Sequence, residues 1–71
     1  MNKIEANIKF GKRIKELRTA QRLSQEQLSY QCEINRTYMG AIERGEKCPS
    51  LITITKIAKG LNISLKELFD Y

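Results

Sequence analysis

The sequence predicts an all-α domain of five short helices. Three observations point there: apolar residues recur at three- and four-residue intervals rather than alternating, capping residues precede several of these stretches, and the connections between them are short. Seventy-one residues suffice for one small domain over residues 1–71. Its core is marginal, because a chain of this size removes only about 60% of its unfolded surface from water.

The first helix is expected from about Asn2 or Asn7 to about Gln21. Phe10, Ile14, Leu17 and Gln21 follow i, i+4, i+7, i+11 spacing and form one stripe, with Lys9, Lys12, Arg13 and Lys15 largely turned away from it. Ile4 and Ile8 make a separate pair, suited either to covering a neighbouring helix or to a subunit contact. The second helix starts at Ser24, where Gln27 three residues on completes a capping box, and it carries Leu28 and Cys32 inward. Asn35 caps the third, which ends where Gly45 takes a left-handed conformation. Pro49 marks a loop and Ser50 caps the fourth, whose inner face is expected to hold Leu51, Ile54, Ile57, Ala58 and Leu61. Asn62 terminates it. The fifth is short: Ser64 and Glu67 repeat the capping box, with Leu65, Leu68 and Phe69 on the apolar side.

Composition narrows the function. There are 13 Lys and Arg against 8 Asp and Glu, a net charge of +5. Residues 1–22 hold seven basic and two acidic side chains, so the whole excess lies in the first third and predicts a positive face. Histidine is absent, no glycine-rich phosphate cradle is present and the acidic residues are isolated, so neither catalysis nor a metal or other cofactor is expected. Cys32 and Cys48 lack metal-ligand spacing and read as free thiols, a disulfide being suggested by parity alone. The apolar runs fall far short of the roughly 20 residues of a membrane span, and the first residues lack the apolar core of a signal peptide, so the cytoplasm is the expected location. A chain this short has no room for a separate effector-binding domain, and no small-molecule effector is expected.

Two short helices joined by Glu33 and Ile34 make the stretch from about 24 to 44 a helix-turn-helix unit. Such a unit projects the start of its second helix, which a DNA major groove about 12 Å wide admits. Here that start presents Asn35, Arg36, Thr37, Tyr38, Gly40 and Ala41.

The chain resembles the phage-repressor and Cro-like helix-turn-helix superfamily along nearly its whole length. The matching residues are Ile14, Leu17 and Arg18; Leu23, Ser24, Gln25 and Leu28; Ile42, Glu43, Arg44 and Gly45; Pro49, Ser50 and Leu51; and Ile57, Ala58, Leu61, Ile63 and Leu68. Within that superfamily, Asn35-Arg36-Thr37-Tyr38 followed by Ile42-Glu43-Arg44-Gly45 looks like the small controller proteins of restriction–modification systems. The resemblance implies a five-helix lambda-repressor-like domain that regulates transcription on double-stranded DNA. It implies phosphate binding at Ser24 and Gln25, the latter through its backbone or side-chain amide. Asn35, Arg36, Thr37 and Ala41 would face the DNA, Arg36 spanning a guanine or holding a phosphate and Thr37 packing on a thymine methyl or donating to a base or phosphate. Tyr38 either touches a phosphate or belongs half to the core. Arg44 and Lys47 would reach the flanking backbone, and Arg18 and Glu43 would form a structural ion pair. Glu33 stands where the family usually has glycine, Gly40 where a hydroxyl residue is common, and Ser29 where alanine is usual.

One recognition helix reads only a few base pairs, so a homodimer on a palindromic site is expected, its recognition helices about 34 Å apart. The C-terminal residues over about 50–70 supply both core and contact, with Leu61, Ile63, Leu65, Leu68 and Phe69, and Tyr71 beside them, as the candidate interface. A second reading is a protein-interaction or antitoxin-like helical module, for which the balanced charge after Leu23 leaves room. Salt-sensitive binding would separate the first reading from the second.

Overall fold

The computed structural model describes residues 1–71. Five α-helices follow in chain order: α1 (Lys3–Ala20), α2 (Gln25–Cys32), α3 (Arg36–Glu43), α4 (Leu51–Gly60) and α5 (Leu65–Leu68). There are no strands, and no helix is long and apolar enough to cross a membrane. Each helix starts on a side chain that accepts from the backbone three residues ahead: Asn2, Ser24, Asn35, Ser50 and Ser64. At Ser24 and Ser64 the reciprocal bond from the cap's own amide to Gln27 or Glu67 completes the capping box.

Phe10 and Ile14 of α1, Leu28 and Cys32 of α2, Met39 and Ile42 of α3, and Ile57 and Ala58 of α4 form one buried cluster. Leu61 and Leu68 complete it, and this corrects two of the expected interface residues: neither has surface to offer a partner. The fifth helix has to close the open side of a thin helical layer, and these side chains close it. Ile63 is half-buried against the same core, whereas Leu65 and Phe69 remain exposed. Phe69 still stacks on Phe10 with ring centroids 5.5 Å apart. The expected inner position of Leu51 is also corrected, for Leu51 and Ile52 are 74% and 72% exposed. At the first turn of α4 no other element lies across that face.

Gly11 governs how α1 meets α3. A Cβ built there would fall onto the carbonyl oxygens of Ile42 and Glu43, so only glycine permits this crossing. The crossing engages the C-terminal end of α3 and leaves its start free. Arg13 ties α1 to the end of α5, donating from Nη2 to the Glu67 carbonyl at 2.6 Å and from Nε to the Leu68 carbonyl at 3.2 Å. Gln21 donates to the Leu61 carbonyl at 2.8 Å, so it serves as a polar tie rather than as part of an apolar stripe. Ile8 lies against Gly45 of its own chain, yet it and Ile4 stay 41% and 68% exposed.

Four residues adopt the left-handed conformation: Gly45 (φ 77°), and without glycine's freedom Arg22 (59°), Glu33 (57°) and Asn62 (57°). Glu33 therefore keeps the turn geometry that glycine would favour and bears the strain, of order 1 kcal/mol, locally. The two cysteines are free, Cys32 buried and Cys48 exposed. Burial pushes the Cys32 thiol up to about 11, so it stays protonated and inert.

Candidate nucleic-acid interface

The surface that follows from this packing gathers the start of α2 and the outward side of α3. Serine capping leaves the amides of Gln25 and Glu26, first in α2, without intrahelical partners, and the helix dipole adds partial positive charge there. Asn35 accepts from the Tyr38 amide at 3.2 Å, so its side chain holds the start of α3 in place. Arg36 and Thr37 follow, both exposed, and Arg36 has no ion-pair partner. Gln25, Arg36, Thr37, Gly40 and Arg44 line one shallow depression that contains no apolar side chain. Four of the expected DNA-contacting residues thus converge on one patch, and the glycine forms its floor.

The others fall differently. Ser24 is exposed beside the patch, its hydroxyl accepting from the Gln27 amide at 3.0 Å. Lys47 is exposed in the α3–α4 loop, without an acidic partner. Tyr38 packs half-buried against the core. Ala41 is a correction: at 7% exposure it is buried, although Arg36 and Thr37 on the same helix are exposed. It has no edge to present to a base.

Behind the patch a charged network fixes the two helices. Arg18 donates to both carboxylate oxygens of Glu43, from Nε at 2.7 Å and from Nη2 at 3.0 Å, with the side chains only 12% and 3% exposed. Its Nη1 donates to the Leu23 carbonyl at 2.8 Å, and Gln25 Nε2 donates to Glu43 Oε1 at 3.1 Å. One buried carboxylate therefore links α1, α2 and α3, and no buried side-chain polar atom is left without a partner. Of the N-terminal positive charge, Arg13 and Arg18 are consumed by the fold, while Lys9, Lys12 and Lys15 remain in solvent.

At the rim, Arg44 donates to Glu46 from Nε at 2.8 Å and from Nη2 at 3.1 Å, both side chains more than half exposed. The hydrogen bond from Arg44 holds the Glu46 carboxyl below the usual range, and the same bond raises Arg44. Glu46 is not among the site residues expected from the sequence. Its signal was an acid two residues beyond an arginine in a short loop.

The helix-turn-helix family model matches residues 14–68, which contain the charged network, the depression and the closing α5. The chain belongs to the helix-turn-helix family. Two similar relatives are the control protein C.MunI of Mycoplasma sp, 44% identical over 71 residues (99% of this chain, 93% of that one), and the control protein C.BamHI of Bacillus amyloliquefaciens, 40% identical over 63 residues (87% and 78%). Among solved structures, the restriction-modification controller protein C.AhdI from Aeromonas hydrophila superposes with a TM-score of 0.88 at 46% identity, covering 92% of this chain and 98% of its own. In this helix-turn-helix chain α2 and α3 are the paired helices, and Glu33 supplies the left-handed turn between them. The projecting helix is α3.

Proposed function

We propose that the protein is a sequence-specific DNA-binding regulator of transcription that acts as a homodimer on a palindromic operator and controls the genes of a restriction–modification system. The observation that carries this reading is the free leading end of α3, where Arg36 and Thr37 stand exposed beside the α2 N-terminus with nothing folded across them. An exposed guanidinium at the first turn of a projecting helix has the shape and donors to span guanine O6 and N7. The positive end of α2 holds a phosphate, which sets register without reading sequence. The similarity to control proteins supports the choice of regulated system.

The dimer contact we assign to Leu51 and Ile52 rather than to Leu61 and Leu68, which the core has claimed. Two adjacent aliphatic side chains this exposed, on the helix that follows the recognition helix, are suited to a two-fold contact that sets the two α3 helices about one DNA turn apart. Burial of that surface also adds stability that a 71-residue core lacks.

Selection of bound sequences from a random duplex pool tests the whole reading: a single inverted repeat is the expected product. Recovery of no preferred sequence, or binding to a protein that is insensitive to salt, contradicts it. The substitution Ile52→Glu is expected to leave the fold intact, to shift sedimentation to the monomer and to abolish tight operator binding. A dimer that survives it refutes this interface.

A further inference from the structure

The guanidinium of Arg44 is not simply a free cation at the edge of the patch. A guanidinium has two edges that make paired hydrogen bonds, one formed by Nε with a terminal nitrogen and one by the two terminal nitrogens. Glu46 occupies the first, with its two oxygens 2.8 Å and 3.1 Å from Nε and Nη2. The second edge stays open, and it includes Nη1.

Nη1 lies over Gly40, four residues back along the helix. A Cβ built at Gly40 would come within 3.1 Å of it, tighter than ordinary contact, and within 3.5 Å of Gln25 Oε1. Glycine inside a helix weakens that helix relative to alanine, so Gly40 trades intrinsic stability for the close approach of Arg44 Nη1 to the helix surface. The open edge thereby joins Gln25, Arg36 and Thr37 in one depression.

We infer that Glu46 is a positioning residue for DNA binding: it clamps one edge of Arg44 over the bare surface of Gly40 so that the other edge is presented, already oriented, to a DNA oxygen acceptor. This rests on the reading of the patch as a DNA-contacting surface. Preorientation matters because a free arginine loses rotamer freedom when it docks, and a clamped one has lost it beforehand. The hydrogen bond from Arg44 holds the carboxyl below its usual range, so it stays the charged acceptor that the clamp needs at neutral pH.

If Glu46 acted only through its charge, its removal near phosphates would strengthen DNA binding. The inference requires the opposite. Glu46→Ala is expected to weaken binding to the selected duplex by about 2- to 5-fold, the scale of one exposed ion pair, although the net charge becomes more positive. Glu46→Gln, which keeps an acceptor for Arg44, should recover part of that loss. Gly40→Ala should also weaken binding while its thermal midpoint stays equal or rises. In an Arg44→Ala background, Glu46→Ala should cause no loss. Tighter binding by Glu46→Ala in both backgrounds, or an equal loss in both, overturns the inference. Failure of the unmodified protein to bind any duplex would instead overturn the underlying DNA-binding reading, so the two failures are distinct.

Discussion

Glu43 and Arg44 are neighbours in the chain, and each pairs with a residue of opposite charge, yet the two pairs belong to different regions of the molecule. A helix turns about 100° per residue, so Glu43 points into the α1–α3 crossing while Arg44 points to solvent. The Arg18–Glu43 pair is nearly excluded from water and tied to α2 through Gln25; the Arg44–Glu46 pair is more than half exposed. In the first, both charges have lost their hydration and depend on each other. In the second, water and salt compete, and the pair is worth little to folding. Identical chemistry therefore serves architecture in one place and presentation in the other, and burial alone separates them.

The largest expected effect lies on the buried side. Glu43→Gln would leave the Arg18 guanidinium in the crossing without its counter-charge, and chemical denaturation should record a loss of about 3–5 kcal/mol, nearly the same at low and high salt. A loss below about 1 kcal/mol would erase the contrast between the pairs, since exposed pairs also reach that value.

A smaller effect is expected at the exposed face, where folding should be untouched and recognition altered. Arg36→Ala should lose about 1–3 kcal/mol of discrimination between the selected site and its base-substituted variants, measured by competition binding. Lys47→Ala should instead weaken all duplexes alike and reduce the slope of log affinity against log salt by about 0.9. Equal losses in both variants on every sequence would mean that Arg36 contacts phosphate only.

The smallest effect concerns a third glutamate. Glu33 pairs with nothing and is held left-handed at φ 57°, so only its backbone matters. Glu33→Gly should raise stability by up to about 1 kcal/mol, less whatever glycine's extra freedom in the unfolded chain takes back. A marked loss of DNA binding in that variant would assign the carboxylate a role that its exposed, partnerless position does not suggest.

Helix order, the caps and the left-handed positions at Gly45 and Asn62 were legible in the sequence because they are local chemistry: a side-chain oxygen and an amide three residues on, or a residue tolerant of positive φ. The left-handed Arg22 was not, since arginine gives no such signal. The long-range consequences were harder to read. Leu51, Leu61 and Leu68 are the same residue type at helical spacing, yet one is exposed and two are buried, because the answer depends on which helices cross. Ala41 shares the recognition helix with the exposed Arg36 and Thr37, yet the folded packing buries it. Of the candidate site, Gln25, Arg36, Thr37 and Arg44 were legible one by one as exposed polar residues of the helix-turn-helix unit, whereas their meeting in one depression, its glycine floor and the Glu46 pairing appear only once the side chains have directions.

The central claim, that the free start of α3 with the α2 N-terminus meets DNA, is tested most directly by following backbone amide resonances during titration with the selected duplex. The account predicts that the largest shifts map to Ser24, Gln25, Arg36, Thr37, Arg44 and Lys47. Shifts centred on the outer side of α2 around Tyr30 and Gln31, with Arg36 and Thr37 unmoved, would contradict it.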